Sequence, residues 1–449
     1  MYSEYCSEWK KNKNINPITK RAIAENGTIY KQFVKHCDKE LSIKNNIKNF
    51  CDKNKKLKEF INSQDEEYYK QLMQFCKSIL KEQKPELFTE KQQNNNTTII
   101  KYLDSKLTNN ECIKLTKNPN QYLLNDNILL FEKIGSDSVY GIVYKSMIID
   151  KPDIPYFVTK IQLNTKQFAN ENRVLLKIMK LLKIQNIPVI PYIYKIITCN
   201  NLIIDNRYPA VLAKANKTNK KYSMILYEFA ANDLQNFLIK NSNLDEKIWK
   251  NMYEQIFMSI FVYHSVFNEL HADTHIKNFL YRKITPGGCF CYNINGINYY
   301  IENLGYVWMI WDYGNSQPLN KLSNPSWIED YIVFNLGTRI YNEEINKSDF
   351  FKVHAIHADK QFGYLPKNYI IPKTILNLQE NLAEYIYYKT YKKAQSNNKY
   401  FMPNTQGSVT EYEWFIKLFE SKLLFSKSPI GEIISTTTFT NPNIYYYNK

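Results

Sequence analysis

From Ile128 the chain changes character. Leu129-Leu130-Phe131-Glu132-Lys133-Ile134 runs into a loop that opens with Gly135-Ser136 and closes at Gly141. Gly141-Ile142-Val143-Tyr144-Lys145 follows, and then Tyr156-Phe157-Val158-Thr159-Lys160-Ile161. Short runs of β-branched and aromatic residues, punctuated by glycine, specify strands, the first two joined as a hairpin. Phe168 to Ile178 then switches to helical spacing, with Leu175 and Ile178 on one face and Glu171 one turn before Leu175. Met224-Ile225-Leu226-Tyr227-Glu228-Phe229-Ala230 reads as a buried strand running into a short linker, with a helix starting over Ala231 to Leu238. Such an order of elements predicts an α+β fold.

The rest of the composition narrows the possibilities. A chain of 449 residues with 44% apolar and 15% aromatic residues can bury a large core in two or three domains. Its formal charge of +16 would suit nucleic acid or an anionic surface. The excess is nearly all Lys, however, with five Arg in the whole chain and inflated Asn, Ile and Tyr. Those are the residues an A+T-rich genome encodes, and no dense basic block with interleaved aromatics stands out, so no specific nucleic-acid partner is expected. The eight cysteines, at 6, 37, 51, 76, 112, 199, 289 and 291, show no CxxC pairing with nearby His, which argues against zinc. They read as mostly reduced thiols. The first residues lack the apolar run of a signal peptide, and Ile256 to Phe267, flanked by Glu254 and Glu269, reads as a core helix too short to span a bilayer.

Two acidic motifs follow that helix. His271-Ala272-Asp273-Thr274-His275-Ile276-Lys277-Asn278 places an Asn five residues after an Asp, and Trp311-Asp312-Tyr313-Gly314 sets a second Asp before an aromatic residue and a glycine. Phosphoryl transfer from a nucleotide needs such a set: one carboxylate facing the attacking hydroxyl, and an amide with another carboxylate holding the metal that bridges the phosphates. Mg²⁺ takes few protein oxygens and completes its shell with phosphate and water, which suits one Asp and one Asn.

The order resembles the protein kinase motifs H-R-D-x-x-x-x-N and D-F-G, and the upstream elements resemble a kinase N-terminal lobe. What the resemblance implies is a two-lobed fold over residues 126–449, with a β-rich lobe at 126–230 and a helical lobe at 231–449. Asp273 would be the catalytic base, with Asn278 and Asp312 the Mg²⁺ ligands. Lys160 would pair with the ATP phosphates and Glu171 would hold it. Gly135, Ser136, Gly141 and Val143 would cover the nucleotide. Tyr227, Glu228 and Ala230 would line the adenine pocket, and Asp330 would brace the catalytic loop. The glycine-rich loop lacks its middle glycine and is one residue longer than usual. His275 replaces the usual Lys, as in aminoglycoside-type phosphotransferases. Its imidazole can still donate to the transferring phosphoryl, with a charge that depends on pH. Ala272 replaces the usual Arg, so no partner for a phosphorylated activation loop is expected.

Between the motifs, Asn295-Gly296 separates two alternating strands, a strong hairpin signal. This hairpin, followed by Gly305-Tyr306 and the metal Asp, resembles the virion-associated serine/threonine kinases of poxviruses and giant DNA viruses. That likeness implies transfer to Ser/Thr hydroxyls of virion or host proteins, in the virion and host cytoplasm. His275 and the short interval from Asp312 to Asp330, with no Ala-Pro-Glu, favour a second expectation, a small-molecule phosphotransferase; a third, a non-catalytic kinase-fold scaffold, is weakened because Lys160, Glu171, Asp273, Asn278 and Asp312 are all present. Near the N-terminus, Cys6-x-x-Trp9, Asn16-Pro17-Ile18-Thr19-Lys20-Arg21, Gly27-x-x-Tyr30-x-x-Phe33 and Cys37 resemble the two-cysteine adaptor domain of large DNA viruses, with Lys20 where that motif has Gly. Residues 1–45 would then form an adaptor that binds a protein partner. Thr19 is placed to cap a short helix, and Ile29, Phe33 and Cys37 share one helical face. Residues 46–125 read as a helical connector, with helix at Tyr68 to Leu80 and a polar loop at Gln92 to Thr98.

Overall fold

The computed structural model describes Trp9, Asn12 and residues 14–16, 19–24 and 27–37, then 90–116, 121–134, 141–151, 154–184, 187–200, 221–319, 327–338, 365–366, 369–391, 411–420 and 423–439. The described N-terminal residues group in one compact unit with 127–129 and the described residues of 147–155; the remaining described residues from Glu90 onward, the body, form the other.

In the N-terminal unit Trp9 is wholly buried, edge-on to Tyr30 and stacked on Phe33 with ring centroids 5.6 and 5.7 Å away. Both partners lie on helix α1 (Thr28–Cys37). The buried face of α1 is thus Tyr30 and Phe33, while Ile29, expected on that face, is 42% exposed. The strip before it closes on itself: Ile15 bridges Ala22, and the Asn16 N–H donates to Arg21 O at 2.8 Å. Thr19 caps no helix. It sits in the turn, where its N–H donates to the Asn16 side chain at 3.3 Å. Lys20 adopts φ +56°, the left-handed region in which glycine is unstrained, so a glycine is the natural residue at this turn. Cys6 and the side chain of Cys37 lie outside the described residues.

The body is a mixed α/β structure built on a curled antiparallel sheet with several helices. Helix α2 (Glu90–Lys106) comes first and includes Gln92 to Thr98, which the sequence suggested was a loop. Tertiary contacts override the poor helix propensity of that Asn tract. Asn96 is buried and accepts from the Tyr194 hydroxyl at 2.8 Å, while Ile99, Tyr102 and Leu103 bury beside it. The expected helix at Tyr68 to Leu80 lies outside the described residues.

Seven strands follow: β1 (Ile113–Leu115), β2 (Tyr122–Leu124), β3 (Ile128–Ile134), β4 (Gly141–Ile148), β5 (Phe157–Leu163), β6 (Ile193–Cys199) and β7 (Tyr222–Glu228). They pair in the order β1-β2-β3-β4-β5-β7-β6, so the sheet already begins before residue 126. Its two edge strands, β1 and β6, are joined to each other. The Thr198 N–H donates to Asn109 O at 3.1 Å, and a disulfide links Cys112, just ahead of β1, to Cys199 at the end of β6. This bond departs from the expectation of mostly reduced thiols; Cys289 and Cys291 are free and buried. Helix α3 (Lys166–Leu182) crosses between β5 and β6, capped by the Thr165 hydroxyl.

After β7 come β8 (Asn232–Asp233), α4 (Leu234–Lys240) and the long helix α5 (Glu246–Phe267). α5 is the centre of the core, with Trp249, Tyr253, Phe257 and Phe261 fully enclosed. It ends where Asn268 turns left-handed (φ 54°) and donates its N–H to His264 O. Then β9 (Glu269–Leu270), β10 (Phe279–Lys283), β11 (Cys289–Ile294), β12 (Ile297–Glu302), β13 (Tyr306–Ile310) and β14 (Gln317–Pro318) carry the chain through both acidic motifs. The predicted hairpin is present: Ile294 faces Ile297, and Asn295 and Gly296 take φ of 51° and 84°, the tight turn this dipeptide favours. Helices α6 (Trp327–Gly337), α7 (Lys373–Tyr391) and α8 (Glu411–Glu420) pack beyond, and β15 (Ile433–Phe439) adds in parallel to β11. Among the described residues no helix is long and apolar enough to cross a membrane.

Candidate functional site

Strand pairing brings the two acidic motifs together. β9 enters the loop 271–278 and β10 leaves it; β13 enters the loop 311–316 and β14 leaves it. Because β9 pairs with β14 and β10 with β13, the two loops are clamped at both ends and face one another. Two further bonds cross between them. The Trp311 N–H donates to Asn278 O at 3.0 Å, and the buried His271 ring sets its Nε2 3.0 Å from Trp311 O.

Lys160 on β5 reaches this junction. Its Nζ lies 2.8 Å from Glu171 Oε1 and 3.1 Å from Asp312 Oδ1. Burial opposes the ammonium charge, but the Asp312 and Glu171 carboxylates outweigh it and hold Lys160 above its ordinary value. Around Asp312 desolvation pushes the carboxyl up. Lys160 prevails, helped by His271 and His275, and the net shift is downward. The Asp312 side chain is 41% exposed and therefore accessible to a ligand. Glu171 is almost fully buried; Gln162 donates to its Oε2 at 2.8 Å and the Tyr227 hydroxyl approaches its Oε1 at 3.5 Å.

Asn278 is buried, and its Nδ2 donates to Asp273 O at 2.8 Å, which turns its Oδ1 acceptor the other way. The Asp273 carboxylate meets two groups: Asn315 Nδ2 donates to Oδ2 at 3.0 Å, and His275 Nε2 stands 3.5 Å from Oδ1. His275 Nδ1 accepts from the Lys277 N–H at 3.2 Å, so in the neutral ring the proton sits on Nε2 and points at Asp273. Burial lowers the His275 pKa and the Asp273 charge raises it; the net shift is downward, and the ring is neutral around pH 7. No group of three or more His, Cys, Asp or Glu that could hold a metal ion occurs among the described residues. Asn278 and Asp312, one amide oxygen and one carboxylate, fit a hard cation such as Mg²⁺ that draws its other ligands from phosphate and water.

The remaining expected residues distribute as follows. Val143 lies directly across from Lys160 in the β4–β5 register, and Gly141 pairs with Gln162. Gly135 and Ser136 lie outside the described residues. Tyr227 is buried, edge-on to Trp311 at 5.1 Å. Glu228 is committed structurally: its carboxylate pairs with Arg282 and accepts from the Tyr192 N–H at 3.1 Å, and its own N–H donates to Tyr192 O at 2.8 Å. Ala230 follows in the linker, where the Ala231 N–H donates to Tyr281 O. Asp330 on α6 does brace the 271–278 loop. Its Oδ2 accepts from the His271 N–H at 2.8 Å, its Oδ1 from the Ala272 N–H at 2.9 Å, and its carbonyl from the Thr274 hydroxyl. Ala272 takes φ +60°.

Sequence reasoning missed several supporting residues. Asn170 donates to Gly314 O and Ser316 O at 3.1 and 2.6 Å, tying α3 to the turn after Asp312. Arg173 and Lys177, also on α3, pair with the fully buried Glu269 just before His271. His264 bridges Asp330 and Glu411. One signal was available: in a chain with five Arg, Arg173 and Arg282 are conspicuous, and both neutralise a carboxylate beside the site.

The family model of the 2-cysteine adaptor domain matches residues 5–39. That stretch contains Trp9, Tyr30 and Phe33, the buried aromatic cluster of the N-terminal unit, and it bears out the adaptor likeness read from the sequence. No curated protein matches the chain.

Proposed function

We propose that the body of the chain is a kinase-like catalytic domain that transfers the γ-phosphoryl group of ATP to Ser or Thr hydroxyls of proteins, with Mg²⁺ as cofactor. The observation that carries this reading is Lys160, held 2.8 Å from Glu171 and 3.1 Å from Asp312, beside a loop presenting Asp273 and Asn278. Bound Mg²⁺ would supply the positive charge that neutralises the phosphates, with Asn278 and Asp312 as its protein ligands. Lys160 would hold the α- and β-phosphate oxygens, oriented by Glu171. Asp273 would accept the proton of the attacking hydroxyl, and neutral His275 would donate its Nε2–H within the same cleft. Gly141 and Val143 on the sheet, with Tyr227, Glu228 and Ala230 at the linker, would surround the base.

Similarity of residues 5–39 to an adaptor domain supports a second role, docking to a protein partner. The viral likeness of the hairpin-containing insertion adds a setting, the virion and host cytoplasm, with virion or host proteins as substrates. His275 in place of Lys and the short interval to Asp330 favour a second reading, phosphorylation of a small hydroxylated molecule. Labelled ATP·Mg²⁺ offered with casein and with a metabolite panel separates the two. Label on protein Ser/Thr is expected; label on a metabolite alone would establish the second reading, and no nucleotide binding at all would sink both. Asp273→Asn is expected to abolish transfer while nucleotide binding survives.

A further inference from the structure

We propose that Asn315 is the positioning residue for the proposed catalytic base Asp273. This rests on the phosphoryl-transfer reading and adds a residue to it. Asp273 is held from two sides, and only one of its side-chain contacts is short: Asn315 Nδ2 to Oδ2 at 3.0 Å, against 3.5 Å from His275 to Oδ1. A carboxylate only accepts, so the Asn315 amide must present its nitrogen and the contact has one orientation.

Asn315 can place that amide because its backbone is immobilised. It ends the short helical turn Tyr313–Asn315, which starts directly after Asp312, where the backbone is left-handed at φ 67°. The Tyr313 ring is buried, stacks on Tyr263 at 5.4 Å, and its hydroxyl donates to Ile310 O at 2.8 Å. On either side of Asn315 the Gly314 and Ser316 carbonyls both accept from Asn170 on α3. The Ser316 N–H closes the turn on Tyr313 O, and the Ser316 hydroxyl bonds Tyr263 at 2.6 Å.

One rigid turn therefore carries two functional groups, the Asp312 carboxylate proposed for the metal and the Asn315 amide on the base. The two are locked in register. With Asn315 present, the Asp273 carboxylate is fixed relative to Asp312 before any substrate arrives. The sequence feature that encodes this is a hydrogen-bond donor immediately after Asp-Tyr-Gly, in a turn whose Gly314 and Ser316 carbonyls are both taken by Asn170.

The test is steady-state transfer by full-length wild type, Asn315→Ala and Asn315→Gln, with nucleotide affinity and melting temperature measured on each. Asn315→Ala is expected to lower kcat by about 10–100-fold, the cost of a misaligned catalytic group, with nucleotide KM and melting temperature unchanged. Asn315→Gln keeps the donor on a longer arm and should recover part of the loss. Unchanged kcat in Asn315→Ala, a parallel fall of kcat and stability, or no recovery by Gln would each overturn the assignment. Absence of transfer by the wild type would instead strike the phosphoryl-transfer reading itself, so the two failures are distinguishable.

Discussion

His264 lies on α5 with no solvent exposure, its Nε2 2.8 Å from Asp330 Oδ2 and its Nδ1 2.7 Å from Glu411 Oε1. Both nitrogens face groups that only accept when ionised, so both carry protons and the ring is an imidazolium. Burial by itself would lower its pKa, yet the Glu411 and Asp330 carboxylates raise it from 6.5 to about 10. Replacement by Gln removes the cation and leaves two buried carboxylates without it. Breaking a buried charge set by deleting one member costs about 3–5 kcal/mol. Asp330 keeps the His271 and Ala272 N–H donors, and Glu411 keeps the Tyr331 hydroxyl at 2.7 Å. The lower end of that range, about 3 kcal/mol, is therefore expected for His264→Gln.

The pH dependence fixes the sign. The folded-state pKa lies above the unfolded value, so folding takes up a proton. The stabilisation is complete below about pH 6.5 and is lost as pH rises to about 10. Thermal melts of wild type and His264→Gln across that window should show a gap that is widest at the acid end and narrows toward the alkaline end. Taking the difference between the two proteins cancels the other groups that titrate there. A gap that stays constant or widens with pH would refute the imidazolium assignment.

If the body is the proposed phosphoryl-transfer domain, Glu171→Ala should cut transfer by about 100-fold, because Lys160 then loses its Glu171 partner and is drawn toward Asp312; labelled-phosphate transfer measures it. Cys199→Ser should destabilise by about 2–4 kcal/mol by releasing the bond between the two sheet edges. Added reductant should lower the wild-type melting temperature but not that of the variant, and a wild type indifferent to reductant would show the bond is absent from the purified protein. Lys20→Gly should stabilise the N-terminal turn by up to about 1 kcal/mol, since glycine adopts φ +56° without strain. Slower hydrogen exchange at the Asn16 and Lys20 amides would register it.

What the sequence disclosed about this fold was what local chemistry encodes. The lysine strand, the helix carrying Glu171 and the Asn295-Gly296 turn depend on periodicity and on residues with few conformational options. The elements that escaped depend on partners distant in the chain. β1 and β2 are three residues each and carry almost no pattern of their own; they exist because the sheet recruits them. The Asn tract in α2 is helical because Tyr194 satisfies Asn96 and three apolar residues beyond it bury. In the site, motif residues announce themselves by type and spacing. Their supports do not: nothing local marks Glu411 as the second carboxylate on His264, or Asn315 as the amide on Asp273.

Helix α3 shows why those supports matter. Its inward stripe, Glu171 with Val174, Leu175 and Ile178, faces Lys160 and the core. An adjacent polar stripe, Asn170, Arg173 and Lys177, reaches the turn after Asp312 and the buried Glu269 before His271. A helix positioned only by the Lys160–Glu171 pair would be free to pivot when that pair breaks. With three further anchors on a neighbouring stripe, its placement does not depend on the pair. Loss of Glu171 should thus be felt at Lys160 while the helix stays docked, and the Arg173–Glu269 contact should survive in the variant. Loss of Arg173 leaves Glu269 buried beside the 271–278 loop with Lys177 as its remaining cation, and should disturb that loop while the Lys160–Glu171 pair remains intact. On the proposed phosphoryl-transfer reading, the two substitutions separate the Lys160–Glu171 pair from the frame that holds it.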